Sequence, residues 1–135
     1  MNEDIIKIAQ HGDTAALIEL VAEGADVNAK GEYSGWKPLM LAAREGQTDK
    51  MKVLLAQGAA TNMKSTIRRR TALMEAIRHR KLDAVEVLLA GDCDVDAVDW
   101  EGQTGLMFAA ISGQFEIVKV LLRHGADANM KNRFE

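Results

Sequence analysis

Histidine and cysteine are the side chains in this sequence that could bind a transition metal or act as a nucleophile. The histidines His11, His79 and His124 lie far apart along the chain, and Cys93 is the single cysteine. A zinc site needs about four ligands that cluster, and this spacing does not supply them. Cys93 occupies an alanine position of a repeated turn, so we interpret it as a small buried residue. The sequence predicts no metal site and no cysteine nucleophile.

A run of aspartates offers a second kind of ion site, at positions 92, 94, 96 and 99. An EF-hand calcium loop that began at Asp92 would need glycine at its sixth position and glutamate at its twelfth. The residues at those positions are Ala97 and Gln103. We therefore interpret the run as a solvated loop rather than a calcium site.

Two carboxylates, Glu45 and Glu75, are the best candidates for general acid–base catalysis, but no partner for such work accompanies them. Neither G-x-G-x-x-G nor G-x-x-x-x-G-K-[ST], the glycine motifs that cradle phosphates, occurs in the chain. The sequence predicts neither an enzyme nor a cofactor-binding protein.

The composition is that of one globular domain. The 135 residues are 47% hydrophobic and 27% charged, with a net charge of −3, which does not suit a polycation built to bind nucleic acid. Aromatic residues at 4% and a single proline disfavour a β-sandwich. With one cysteine, no leader-like start and no long apolar run, the expected location is cytoplasmic.

Internal repetition indicates how the chain is organised. The sequence Leu-Leu-Ala-Gln-Gly-Ala at 54–59 has related copies at 20–25, 88–93 and 121–126, and a second motif recurs at 38–43, 72–77 and 105–110. Leu55, Leu89 and Leu122 are separated by 34 and 33 residues. A period of this length is typical of solenoid proteins.

Each repeat has the pattern of two short helices. Thr71 and Thr104 precede helical patterns and can cap them, and Gly46 and Gly113 then break the chain. Helices of about eight to ten residues are not stable alone, so stacked copies must bury each other's apolar stripes.

These repeats resemble the ankyrin repeat, through Gly-Ala-Asp-Val-Asn-Ala at 24–29 and Gly-Ala-Asp-Ala-Asn at 125–129. The resemblance implies an all-α solenoid of stacked antiparallel helix pairs joined by β-turn fingers, with a concave face. We divide this single domain into an N-terminal capping unit (1–30), three repeats (31–64, 65–97 and 98–130) and a tail (131–135).

The sequence departs from the family pattern at several positions. Met40, Met74 and Met107 stand where the family usually has a histidine that bonds to the capping threonine. Arg80 and Asp92 replace two glycines, so we expect strained turns at both positions.

The resemblance also implies where a partner would bind, since ankyrin proteins usually use their finger tips and concave face. Both tryptophans and the only tyrosine fall on these positions, and such residues dominate interface hot spots. The positions carried over are Tyr33, Ser34, Trp36, Arg44, Glu45, Ile67, Arg68, Arg70, Arg78, His79, Trp100, Glu101, Gln103, Ile111 and Ser112.

Charge is segregated along the chain. Seven lysines and arginines oppose one acid, Glu75, over residues 64–81, whereas residues 82–101 hold seven acids and no lysine or arginine. One interpretation is that the two blocks neutralise each other between repeats. The other is that the basic strip steers an acidic or phosphorylated segment of a partner into the groove.

The leading hypothesis is a non-catalytic, monomeric protein-interaction module that binds another protein. Alternatives are an engineered ankyrin binder, a phosphate or nucleic-acid binder that uses the strip from Arg68 to Arg80, and a structural or self-associating segment of a longer array. The last alternative rests on the apolar final repeat, at Phe108, Ile111, Phe115, Ile117 and Phe134.

Overall fold

A computed structural model describes residues 2–31 and 35–132, and the regular secondary structure within them consists of eight α-helices. They are α1 (Asn2–His11), α2 (Thr14–Ala22), α3 (Pro38–Arg44), α4 (Thr48–Ala56), α5 (Ala72–Arg78), α6 (Leu82–Leu89), α7 (Gly105–Ile111) and α8 (Phe115–Arg123).

The helices form two parallel rows. In the inner row α1 packs on α3, α3 on α5 and α5 on α7, and in the outer row α2, α4, α6 and α8 pack in the same order. Each inner helix also packs on the outer helix that follows it in sequence. The predicted all-α solenoid of stacked helix pairs is confirmed.

The core is built from side chains that recur with the repeat. Ala9, Ala42, Ala76 and Ala109 lie one per inner helix, and all are fully buried. A methyl side chain lets neighbouring helices approach closely, so the inner row packs tightly. Larger side chains at equivalent positions of the outer row, such as Leu54 and its repeats, fill the space between the rows.

Thr71 and Thr104 cap their helices as predicted. The Thr71 hydroxyl accepts a hydrogen bond from the N–H of Met74 at 3.3 Å, and the Thr104 hydroxyl accepts one from Met107 at 3.2 Å. The methionine that stands in place of the family's histidine has its own capping role in the last repeat. There the sulfur of Met107 accepts a hydrogen bond from the Thr104 N–H at 3.4 Å.

The turn after each of the inner helices α3, α5 and α7 has a left-handed residue. Gly46, Arg80 and Gly113 have φ of 69°, 59° and 72°, so the strain expected at Arg80 is present. The guanidinium of Arg80 donates to the Ser112 carbonyl at 3.0 Å, which offsets part of that strain. The strain expected at Asp92 is absent: its φ is not positive, and α6 ends one residue earlier than α4 at the matching position.

Side chains at one repeated position link each repeat to the next. The side-chain oxygens of Asn28, Asn62 and Asp96 accept a hydrogen bond from a backbone N–H of the following repeat, at 2.8, 2.7 and 2.9 Å. The fingers are thereby held in register along the whole stack.

Candidate functional site

The candidate site is the surface formed by the inner helices α3, α5 and α7 together with the described residues of the connecting loops, 23–31, 35–37, 57–71 and 90–104, which we call the fingers. We refer to this surface as the groove. Tyr33 and Ser34, two of the predicted binding residues, lie outside the described residues. The others are exposed at Glu45, Ile67, Arg68, Arg78, His79, Trp100 and Ile111, and half-buried at Trp36, Arg44, Arg70, Glu101, Gln103 and Ser112.

Arginine–aromatic stacking recurs along the groove. The guanidinium carbon of Arg44 lies 5.2 Å from the centre of the Trp36 ring, and that of Arg68 lies 5.7 Å from the Trp100 ring. Arg78 on α5 reaches across to α7 and lies 5.0 Å from the Phe108 ring. A guanidinium over an aromatic face is attracted to it and loses part of its freedom of movement. The groove therefore presents several partly immobilised cations.

The finger that carries the arginines has a strained tip. Arg68 and Arg69 both adopt left-handed φ angles, 65° and 52°, which cost roughly 1–2 kcal/mol each in a residue with a side chain. The strain is maintained by hydrogen bonds on both sides of the tip. Ser65 and Arg70 are joined by a backbone bond of 2.8 Å, and the Arg68 carbonyl accepts from the Trp100 N–H at 2.9 Å. These bonds fix where the arginine side chains leave the finger.

One carboxylate lies among these cations. Glu75 on α5 is 2% exposed, and its oxygens lie 3.8 Å from Nη1 of Arg70 and 3.8 Å from Nε2 of His79. Both separations exceed hydrogen-bond length, and within residues 2–31 and 35–132 the Oε1 atom has no hydrogen-bond partner. Burial raises the pKa of Glu75, whereas Arg70, Arg78 and Arg44 act to lower that pKa.

Other titratable groups of the groove respond to the same surroundings. Burial, followed by the charges of Arg44 and Arg78, lowers the pKa of His79. Burial is also the main cause that lowers the pKa of Arg70, although a guanidinium remains charged at physiological pH. The cluster of Arg44, Arg68, Arg70 and Arg78 with Glu75 therefore carries net positive charge at neutral pH.

The arginine cluster around Glu75 does not include four of the predicted binding residues, namely Glu101, Gln103, Ile111 and Ser112. The N–H groups of Glu101 and Gln103 donate to Oδ1 of Asp99 at 2.9 and 3.0 Å, which shapes the last finger. The Ser112 hydroxyl donates to the Phe108 carbonyl at 2.7 Å. These hydrogen bonds of Glu101, Gln103 and Ser112 are local to the last repeat and shape its backbone.

The aspartate run also has a structural use. Asp94 accepts from the N–H of Asp96 at 3.2 Å, Asp96 accepts from the next repeat, and Asp99 accepts from two backbone groups of its own finger. Among the described residues, the ion pairs of the basic block 64–81 are those of Glu75 with Arg70 and His79, and no pair within 4.0 Å joins this block to residues 82–101. Among the described residues, the basic and acidic blocks therefore do not neutralise each other through direct ion pairs.

No group of three or more histidine, cysteine, aspartate or glutamate side chains converges within residues 2–31 and 35–132 in a way that could hold a metal ion. Within the same ranges, none of the helices combines the length and the apolar character that crossing a lipid bilayer requires.

Cys93 is half-buried, and burial raises the pKa of its thiol from the ordinary value of 9.0 to about 11, with Asp94 adding to the effect. The thiolate is the reactive form, and the greater nucleophilicity of a less acidic thiol offsets part of the loss of thiolate. At mildly alkaline pH the folded protein should therefore react with an aromatic disulfide reagent about tenfold more slowly than a free cysteine peptide. Absorbance kinetics would measure this rate. Denaturant should restore the peptide rate, and an equally fast reaction of the folded chain would contradict the burial of the thiol.

The sequence comparisons agree with the repeated architecture. A family profile described as ankyrin repeats (3 copies) matches residues 5–99 and 61–132. No curated protein sequence gives a significant match to the chain.

Proposed function

Because the chain belongs to the ankyrin repeat family, whose members are generally non-catalytic modules of protein–protein interaction, we propose that it binds a partner protein through the groove. We further propose that the bound part of the partner is an acidic segment. The single cysteine, with its unreactive thiol, suits the reducing cytoplasm that we propose as its location.

The arrangement of arginines is the observation that carries this proposal. Arg44, Arg68 and Arg78 each stack on an aromatic ring, and Arg70 lies 15% exposed between them with Glu75 beneath it. A planar guanidinium matches a carboxylate in geometry and can bind it with two parallel hydrogen bonds. Since the aromatic rings already restrict these arginine side chains, the side chains lose less conformational freedom when a partner binds them.

An acidic protein segment fits the groove better than nucleic acid does. Four arginines, at positions 44, 68, 70 and 78, gather near Glu75 and the aromatic rings of the groove, while the chain as a whole carries a net charge of −3. A nucleic-acid site usually spreads many lysines and arginines over a basic face and loses affinity steeply with salt. We propose that the groove instead uses a few stacked arginines with exposed apolar side chains beside them, such as Trp100 at 44% and Ile67 at 55% exposure.

The tryptophans should act as binding anchors. Trp36→Ala or Trp100→Ala should each weaken binding by about 2 kcal/mol, roughly a 30-fold rise in Kd, because each change removes buried aromatic area and frees a stacked arginine. The probe is a fluorescently labelled peptide of alternating aspartate and glycine, and its anisotropy is the readout. A lysine–glycine peptide of equal length serves as the control ligand. Equal affinities of the wild type and both variants would remove the tryptophans from the site.

Arg70→Glu in the same assay should mainly slow association and flatten its dependence on salt, because it reverses a steering charge. Lys52→Glu is the matched control, since Lys52 is exposed on the outer helix α4. A protein captured from nuclease-treated lysate by the wild type, but not by the Trp36→Ala/Arg70→Glu/Trp100→Ala variant, would supply the natural segment for the same measurement. If the control weakens binding as much as Arg70→Glu, the groove is not the site.

Self-association is the second candidate function, because the last repeat exposes apolar side chains. Ile111 is 76% exposed, Phe115 72% and Leu122 46%, whereas Ile117 is buried; Phe134 lies outside the described residues. Sedimentation over a range of protein concentrations separates the two candidates. A dimer that dissociates on Phe115→Glu substitution would favour self-association through this end.

A further inference from the structure

Glu75 occupies a position where the stack does not require a charge. In the pattern Leu-Met-x-Ala, Leu41 precedes it by one repeat and Phe108 follows it by one repeat, so the equivalent side chains are apolar. A carboxylate that is 2% exposed at such a position would be destabilised by the loss of water unless neighbouring charges compensate. Its presence therefore calls for an explanation beyond packing.

The neighbouring charges come from separate parts of the groove. Arg70 extends from a finger and lies 3.8 Å from Oε1 of Glu75, while Arg44 comes from α3 and Arg78 from α5 itself. These three arginines act on Glu75 as favourable charges. Because Oε1 accepts no hydrogen bond from the described residues, this oxygen is held in its ionised form by the neighbouring charges.

The same arginines are the groups that an acidic segment would bind. When a partner carboxylate pairs with Arg70 or Arg78, it neutralises the charge that compensates Glu75 and places a second negative charge nearby. Two carboxylates that share one site cannot both remain ionised without a large penalty, so one of them takes up a proton. Glu75 is the buried member of the pair and is the one that should be protonated.

From this geometry we infer that an acidic partner segment binds the groove together with one proton, which Glu75 takes up from solvent. The inference rests on the proposed function, since it assumes that an acidic segment occupies the groove. No covalent bond forms, and the carboxylate of Glu75 becomes a carboxylic acid whose O–H can donate to an oxygen of the bound segment.

The direction of the pH dependence follows from linkage. The complex has the higher Glu75 pKa, so between the pKa of the free protein and that of the complex the complex holds more protons than its separated components. Affinity must then rise as pH falls through this interval, by up to about tenfold per pH unit for one proton. Above the interval both forms are ionised and the affinity becomes constant.

His79 is the other titratable group that lies close to Glu75, and burial lowers its pKa. It lies 3.8 Å from Glu75, and its protonation would also favour an acidic ligand as pH falls. Glu45 on the α3 side acts on His79, and Asp99 in the last finger acts on Arg70. Glu45 is exposed, whereas Asp99 accepts backbone hydrogen bonds in its own finger. The contribution of His79 must therefore be separated experimentally from that of Glu75.

Titration calorimetry with the aspartate–glycine peptide tests the inference. Heats measured in two buffers of different ionisation enthalpy give the number of protons taken up, and the range from about pH 5.5 to about pH 7.5 keeps the peptide aspartates ionised. The wild type should take up a substantial fraction of one proton. Glu75→Gln should abolish the uptake, and its affinity should be at least as high as that of the wild type and nearly independent of pH.

Matched variants decide between the neighbouring groups. Glu86→Gln removes an exposed carboxylate of the outer helix α6, outside the groove, and should retain the uptake. His79→Gln, within the groove, should retain it as well. Glu75→Leu copies Leu41 and provides a second test that keeps the packing of the stack, with circular dichroism as the check of folding. Loss of the uptake in His79→Gln, or its persistence in Glu75→Gln and Glu75→Leu, would overturn the assignment to Glu75.

The two proposals fail in different ways. If the peptide binds the wild type but takes up no proton, the inference about Glu75 is wrong and the groove remains an acidic-segment site. If the wild type does not bind the peptide at any pH in the range while the fold is intact, the proposed function is wrong, and the inference is overturned with it.

Discussion

Substitution of Gly35 by alanine is expected to lower the free energy of unfolding by about 3 kcal/mol. Gly35 has φ of 69°, which an alanine adopts only with strain. An added Cβ would also lie 2.7 Å from the backbone nitrogen of Thr66 and would overlap its hydroxyl. Since that nitrogen belongs to the next finger, the fingers would have to separate beside Trp36.

Gly58→Ala is the matched control for this prediction. Gly58 also has a left-handed φ, 89°, but no atom lies within 4 Å of the Cβ position. This variant should lose only the conformational part, about 1 kcal/mol. Denaturation monitored by circular dichroism measures both variants. Equal losses for the two would mean that the close approach of the fingers contributes nothing.

Lys50→Ile is expected to destabilise the fold by about 2.5 kcal/mol, because it removes a buried charged donor. Lys50 on α4 is 2% exposed, and its Nζ donates to the carbonyls of Ile8 and Ala9 at 3.0 and 3.2 Å. These carbonyls end α1, where the helix dipole also favours a cation. Without Nζ, the buried Ala9 carbonyl would lose its donor, whereas the Ile8 carbonyl would keep the bond from the Gly12 N–H at 2.9 Å.

The choice of isoleucine makes the test specific, because Ile117 occupies the equivalent position of the last repeat. There the α5 carbonyl of Ile77 accepts instead from Gln114 at 2.9 Å, so an isoleucine fits when another donor is present. Lys52→Ile, at an exposed position of the same helix, controls for the loss of charge. If thermal and denaturant unfolding leave Lys50→Ile as stable as that control, the cap is unimportant.

The fold could be predicted because its determinants are local and repeated. The spacing of Leu55, Leu89 and Leu122 gives the period, and the threonines before α5 and α7 mark where those helices begin. Each repeat contacts mainly its neighbours, so one correctly assigned repeat defines the others. The turn at Arg80 was predictable for the same reason, since glycine occupies both equivalent positions.

The remaining features depend on contacts that no local pattern reports. At Asp92 the chain avoids the left-handed conformation by ending α6 early. The stacking of Arg78 on Phe108 joins residues of two different repeats. The sequence does not reveal the role of Lys50, because every helix ends in carbonyls of this kind and no local pattern marks the ones that a lysine caps. One available signal was the register of Glu75 against Leu41 and Phe108, where a single carboxylate interrupts an apolar series.

The candidate binding residues are only partly accounted for by their sequence positions. Family position alone indicated the tryptophans and the arginines, but it did not indicate that each stacked arginine pairs with a particular ring. Nor did it distinguish Ser112, whose hydroxyl serves the turn after α7, from residues free to meet a partner. Such distinctions require the distances between repeats.

The position of each repeat in the stack determines how often its part of the groove opens, so the two ends of the groove should open at different rates. Arg44 and Trp36 lie where α3 is packed between α1 and α5. Phe108 belongs to α7 and Trp100 to the finger that precedes it, and the pair α7–α8 has neighbours on one side only among residues 2–31 and 35–132. In a linear array, opening starts at the ends. Transient opening of α7–α8 would withdraw the rings from Arg68 and Arg78 while leaving the Trp36 end intact. A ligand that contacts both ends would therefore hold α7–α8 in place, and it would slow amide hydrogen exchange in α7 and α8 more than in α3.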